Sequence, residues 1–321
     1  MNRLLAAALL VAGLVSAGTA QAQKAKMTIA TGVDPSLGTF YVAKVGGFFD
    51  KHGLDVQLNT GPSGSAMVAF LVQNQVQAVL AAEQAGIQNF NLDNNVVVAA
   101  QAMQMLRYFG VVARNIDSVE GLKGKKIGVS LGSASEVFWR AFVEKLNLNP
   151  RDYTIVNVDP PEMLAAIQRG NIDAFSAWEP WLTRTTQAVP GTKIVRDNEG
   201  IINPRNFVYI NKGWAAQNPE AAVAFMRALV DATQLLRSNP DEAAKHISTF
   251  LKMDAALTRE LIGKVNFDLY LDQSSIDHLK RIEAQLQEGG KLAKPIDWEK
   301  FIYADVFRKV QPDRVSFTLP K

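Results

Sequence analysis

Lys125 to Leu146 reads KKIGVSLGSASEVFWRAFVEKL, and Thr154 to Leu182 reads TIVNVDPPEMLAAIQRGNIDAFSAWEPWL. A strand pattern over Lys126 to Ser130 meets the small polar turn Gly132-Ser133-Ala134-Ser135, and a helix pattern follows to Leu146. A second strand, Thr154 to Val158, meets Pro160-Pro161 and a helix that runs to Arg169. A third strand, Ile172 to Ala177, runs into Trp178-Glu179-Pro180-Trp181. Strand, small turn and helix in repetition predict an α/β fold with parallel strands and crossover helices. In such sheets ligands sit at the carboxyl ends of strands, where a turn opens the next helix. Ser133, Pro161 and Glu179 fall at such ends.

Working outward, the N-terminus reads as a leader. Arg3 supplies a positive start, Leu4 to Ala17 an apolar run, and Ala20-Gln21-Ala22 a peptidase site, so residues 1–22 are expected to be removed before Gln23. The run is short and rich in small residues for a membrane span. The chain of 321 residues contains no Cys, which excludes disulfides, thiolate chemistry and Cys-ligated metals. With three His and a formal net charge of +3, neither nucleic acid nor an anionic membrane is indicated as a partner. Apolar residues make up 48%, enough for the two cores that this length allows.

Upstream of the quoted stretch the same alternation recurs. Strands are expected near Met27 to Ala30, Leu54 to Asn59, Gln77 to Ala81 and Asn95 to Ala100. Helices are expected at Thr39 to His52, Ala66 to Gln73 and Glu83 to Leu92. A split near Gln104 to Tyr108 leads to a strand at Tyr108 to Arg114. After a strand at Lys193 to Arg196, Ile201 to Asn211 reads as an extended return to the first unit. From Pro219 onward only helices are expected, without chemical roles: Pro219 to Arg237, Pro240 to Phe250, Ala255 to Val265, Ser275 to Glu288 and Asp297 to Tyr303. The basic turn Lys123-Gly124-Lys125-Lys126 is a solvated turn, because no G-x-x-x-x-G-K-[ST] accompanies it.

Several longer runs carry a resemblance. DSVEGLKGKKIGVSLGS from Asp117, VNVDPPEMLAAIQRGNIDAFSAWEPW from Val156, GPSGSAMVAFLVQNQVQAVLAAE from Gly61 and VYINKGWAAQNPEAAVAFMRALVDA from Val208 resemble the periplasmic solute-binding proteins of ABC importers for sulfonates, taurine and nitrate. The resemblance covers roughly Met27 to Pro240 and is specific as a set rather than motif by motif. It implies the type II periplasmic-binding-protein fold, with two α/β lobes joined by two hinge crossovers near Gln104–Tyr108 and Ile202–Phe207. Residues 23–106 and 206–321 would form one lobe and 107–205 the other. The partners implied are a small-molecule ligand and the permease and ATPase subunits of the importer. A monomer without cofactor is expected.

The candidate ligand residues follow from both readings. Helix N-termini present free N–H groups to anionic oxygens. Gly38-Thr39, Gly64-Ser65 and Gly132-Ser133-Ala134 pair a close-approach Gly with a small or hydroxylic neighbour; the simpler role for Ser and Thr there is an N-cap. Pro161 opens the next helix. Trp178 is a pocket wall or a core residue. Glu83 and Glu179 follow strands; if both face the cleft, a ligand with a cationic or donor end is favoured, and otherwise they pair or cap within the protein. Arg107 and Arg205-Asn206 lie at the crossovers, where a guanidinium can clamp a sulfonate or carboxylate or simply sit on the surface. Taurine-type relatives carry an acid where this chain has Asn206. Phe40, Tyr41 and Tyr108 line an apolar part of the pocket or belong to the core.

An enzyme is the rival class. His52, His246 and His278 lie outside the cleft segments, and no G-x-S-x-G or H-E-x-x-H occurs. A pyrimidine-synthesising enzyme family shares the fold, but its site resembles a Cys- and His-dependent one. Gly61-Pro62-Ser63-Gly64 does not fit the dinucleotide fingerprint. A sensor feeding a membrane signalling partner is the remaining alternative.

Overall fold

The computed structural model describes residues 24–319; the leader read at residues 1–22 lies outside them. Among the described residues twelve strands form two sheets. They are β1 Ala25–Gly32, β2 Leu54–Gly61, β3 Ala78–Ala82, β4 Val96–Met105, β5 Phe109–Arg114, β6 Lys126–Val129, β7 Thr154–Asn157, β8 Ala174–Trp178, β9 Thr192–Asp197, β10 Arg205–Asn211, β11 Val265–Asp272 and β12 Val315–Ser316. The larger sheet has the order β12-β11-β4-β10-β3-β1-β2 and the smaller β7-β6-β8-β5-β9. This is the expected two-sheet α/β architecture of the type II periplasmic-binding-protein fold.

Burial follows sheet position. β3 and β10 lie inside the larger sheet, are covered on both faces and are buried throughout. β2, at the edge, alternates buried and exposed positions over its first residues. β1, β2 and β3 run parallel, as do β6, β7 and β8. Each sheet also holds one reversed strand that enters from the other sheet. β10 lies antiparallel between β3 and β4, and β5 lies antiparallel between β8 and β9.

Three expectations are corrected. The helix expected over Thr39 to His52 is two, Gly38–Val45 and Phe48–Lys51, because Gly47 takes φ of 74° between them. The C-terminal region is not helical throughout. VNFDLYLD forms β11, with alternate residues buried, antiparallel to β4 in the larger sheet. The expected helix over Ala255 to Val265 therefore stops at Ile262, before Gly263. The helix expected at Asp297 to Tyr303 shrinks to one turn, Trp298–Phe301, capped by Asp297.

The chain passes between sheets twice, at residues 106–108 and 198–204. The second crossing ends earlier than expected, since Arg205–Phe207 is already strand. One buried side chain ties the crossings together. Asn198 Nδ2 donates to the Leu106 carbonyl at 2.8 Å and the Ile202 carbonyl at 3.0 Å, while its Oδ1 accepts from Tyr108 N at 3.0 Å and Phe109 N at 2.9 Å. The amide thus uses both donors and both acceptor lone pairs on backbone. Replacing Asn198 with Ala orphans two buried backbone N–H groups and removes the donors of two half-buried carbonyls. We expect a loss of about 2–4 kcal/mol in urea unfolding followed by tryptophan fluorescence, with the far-UV spectrum unchanged; a loss below about 0.5 kcal/mol would contradict this role.

Candidate functional site

The ends of the strands meet between the two sheets. β1, β3, β6 and β8 point their carboxyl ends there, β4 ends there, and β5 and β10 begin there. The space is a narrow chamber of about 20 Å³. The larger-sheet side supplies Asp34 and Leu37 after β1, Ser63, Gly64 and Ser65 at a helix start, Ala81 and Ala82 from β3, Met105 from β4 and Asn206 from β10. The other side supplies Phe109 from β5, Ala134 after β6 and Trp178 from β8. That volume holds about one water, so the two sides must part to enclose any organic molecule.

Local sequence builds both walls. Ser63 caps helix Gly64–Val72, its Oγ accepting from Ala66 N at 3.2 Å. The helix start is pressed against the sheet. A Cβ on Gly64 would lie 2.5 Å from the Leu80 carbonyl, and one on Gly32 would lie 2.6 Å from Gly64 N, so these positions admit only glycine. On the opposite wall Ser133 caps helix Ala134–Lys145, accepting from Ser135 N at 3.1 Å and donating to the Ser130 carbonyl at 2.7 Å. The caps leave the N–H groups of Gly64, Ser65 and Ala134 without a protein partner among the described residues. Both helices therefore offer amide hydrogens to the same chamber. Trp178 adds another donor: its indole N–H lines the space, is buried and has no acceptor.

The sequence candidates separate into two groups. Gly64, Ser65, Ala134, Trp178 and Asn206 converge on the chamber. Ser133 lies just outside it, in a cavity of about 250 Å³ at the cleft mouth. That mouth lies between Gln84, Glu136, Arg140 and Lys291, and Ser65 joins it to the chamber by accepting from Gln84 Nε2 at 3.2 Å. The mouth is larger, and its two cations both pair with Glu136: Lys291 reaches it at 3.6 Å and Arg140 at 3.2 Å.

The others are placed elsewhere. Thr39 is buried within its helix and does not line the chamber. Pro161 is exposed at the start of its helix. Arg107 is on the surface, ion-paired with Glu199, because the crossover it occupies faces solvent there. Glu83 and Glu179 are buried but satisfied internally. Glu83 accepts from Arg205 N at 3.1 Å and meets His278 Nε2 at 3.3 Å. Glu179 accepts from Thr183 N and Oγ1, each at 3.0 Å, and from Lys264 Nζ at 3.0 Å. His278 and Lys264 both come from the C-terminal region, where they hold framework acids in place. Arg205 is held by Gln101 and Ser274. Phe40 and Tyr41 are fully buried core residues, Tyr41 donating to the Gly32 carbonyl.

Sequence reasoning missed Asp34. The Thr31 to Gly38 stretch read as a loop, although Asp34-Pro35-Ser36 is an N-cap signal. Asp34 Oδ1 accepts from Ser36 N at 2.7 Å and from Tyr108 Oη at 3.0 Å, while Oδ2 has no protein donor. Tyr108 thus stands behind Asp34. The Trp178 indole N–H is turned toward the same carboxyl without completing a hydrogen bond. Burial pushes the Asp34 pKa up to about 6, against the lowering effect of these donors. Burial, with the nearby Asp34 charge, also holds the Tyr108 phenol well above its ordinary range, so it remains a donor. Among the described residues no cluster of three or more His, Cys, Asp or Glu is arranged to hold a metal.

Comparisons with known proteins agree with this geometry. The NMT1/THI5 like family profile matches residues 34–243, and the chain belongs to that family. A putative aliphatic sulfonates-binding protein of Bacillus subtilis is 27% identical over 275 residues, covering 81% of this chain and 80% of the relative. The taurine-binding periplasmic protein of Escherichia coli is 28% identical over 270 residues, covering 78% and 80%. The alkanesulfonate-binding protein SsuA from Xanthomonas axonopodis pv. citri, solved bound to MOPS, superposes with a TM-score of 0.76 at 16% identity, covering 92% of this chain and 100% of that one. All three of these relatives are named as binding proteins.

The raised Asp34 pKa has a testable consequence for stability. Between the unfolded value of 3.8 and about 6, the folded protein holds a proton that the unfolded chain has released. Stability contributed by this group therefore falls as pH rises through that window, and the full penalty, of order 2–3 kcal/mol, is present above it. Asp34→Asn should raise the melting temperature at pH 8, with the gain shrinking to nothing by about pH 4. An equal effect at both pH values would show that desolvation of the charge is not its source.

Proposed function

We propose that this chain is the periplasmic solute-binding receptor of an ABC importer and that it captures a small organic anion of sulfonate type between its two lobes. The lobes are residues 23–106 with 206–321, and residues 107–205. The leader over residues 1–22, cleaved after Ala22, would export the protein, and the loaded receptor would deliver its ligand to the permease and ATPase subunits. Among the described residues no helix is long and apolar enough to cross a membrane.

The observation that carries this reading is the meeting of two helix N-termini, one from each sheet, over a single chamber. Free amide hydrogens bind anionic oxygens without a countercharge. A ligand touching both walls stabilises the closed arrangement over the open one by its differential contacts, which is how binding becomes a shape that a permease can read. The names of the sulfonate- and taurine-binding relatives support the same ligand class.

A thermal-shift panel of alkanesulfonates, 2-aminoethanesulfonate, nitrate and short carboxylates tests it. A ligand present at a hundred times its dissociation constant should stabilise the protein by about 2.7 kcal/mol. Ala134→Phe, which projects a ring into the chamber, should remove the shift while the ligand-free protein stays folded. Turnover of the compound, or a shift unaffected by the ring, would overturn the proposal.

A further inference from the structure

The chamber contains a carboxylate that the function so far leaves unused. Asp34 is 6% exposed, one of its oxygens is engaged by Ser36 and Tyr108, and the other takes no protein hydrogen bond. Among the described residues no Lys, Arg or His lines the chamber. The nearby cations are occupied: Lys264 by Glu179, Arg205 by Gln101 and Ser274, and Arg107 by Glu199. A ligand bearing only negative charge would place a second anion beside Asp34 with no compensating cation.

Resting on the receptor reading above, we propose that the chamber selects zwitterions. Asp34 takes a protonated amine, while the N–H groups of Gly64, Ser65 and Ala134 take the anionic oxygens. The Trp178 side chain lines the same space, its indole N–H turned toward the Asp34 carboxyl. The two ends of the ligand are close together. Gly32, two residues before Asp34, is packed so tightly that a Cβ on it would lie 2.6 Å from Gly64 N. Acid and amide donors thus adjoin on one wall, which suits an amine and an anionic head separated by a short chain. Asp34 also supplies, from the loop after β1, the acid that position 206 on β10 lacks, because Asn206 is neutral. The ionised carboxylate predominates at neutral pH even with its pKa raised to about 6, so the charge that the amine meets is present when it binds.

Isosteric pairs isolate the amine. Calorimetric titrations at pH 7.5 would compare 2-aminoethanesulfonate with propane-1-sulfonate, and 3-aminopropanoate with butanoate, on the wild-type protein and on Asp34→Asn. In at least one pair the amine should bind roughly 30-fold or more tightly than its methyl counterpart, the range seen when one partner of a buried charge pair is removed. Asp34→Asn should shrink that gap to about threefold or less by weakening the amine and strengthening the methyl compound. Equal wild-type affinities within a pair that binds, or a gap that survives in Asp34→Asn, would overturn the zwitterion proposal and leave the receptor reading standing. Binding of none of the four compounds, when nitrate and longer alkanesulfonates also fail, would overturn both. The higher melting temperature expected of Asp34→Asn at pH 8 shows in the same samples that the variant is folded.

Discussion

Asn198 is the constraint on which the two-lobed arrangement depends. A chain that crosses between sheets twice leaves two short stretches of backbone with no sheet partner, and buried backbone groups must still be paired. A single amide pairs four backbone groups at once, the buried N–H groups of Tyr108 and Phe109 and the half-buried carbonyls of Leu106 and Ile202. The crossings are thereby held side by side at one end of the gap. The chamber lies where it does because β4, β5 and β10 all begin or end beside the crossings.

Three buried acids lie around the cleft, and their different surroundings give them different roles. Glu83 is fixed by Arg205 N and His278, and Glu179 by Thr183 and Lys264. With donors and cations close by, each is part of the framework. Asp34 has two donors on one oxygen and only the Trp178 indole turned toward its carboxyl besides, and among the described residues no cation pairs with it. Holding a carboxylate that way lowers the stability of the ligand-free protein. Sites that bind often carry such a penalty, because the group left unsatisfied by the protein is the one that a ligand can satisfy.

The legible part of the structure was the part written locally. Ser133 before Ala134 was visible as a small polar residue opening a helical run and proved to be a cap, whereas on the other wall the helix expected from Ala66 starts at Gly64 and its cap is Ser63 rather than Ser65. Apolar strands followed by turns marked where the wall would be. β11 was missed because it sits among long helical patterns, although V-N-F-D-L-Y-L-D alternates with period two. Asp34 was missed because a turn-rich loop can be read only as a loop until the crossing strands bring Tyr108 behind it. Arg107 looked like an anion clamp from its place at a crossover, yet Glu199, ninety-two residues later, holds it at the surface.

By itself, the sequence determined the alternation of strand and helix, the caps that leave amide hydrogens free, the absence of thiol chemistry and the likeness to a family of binding proteins. These follow from residue types within a few positions of one another, where propensity and capping act. Only the tertiary structure decided which acids find partners inside the protein and which faces the cleft. That choice depends on partners such as Lys264 for Glu179 and His278 for Glu83, which lie eighty-five and 195 positions away along the chain. Over such separations nothing in local patterning specifies distance, and the charge a ligand meets is set by burial and by neighbours brought together through the fold.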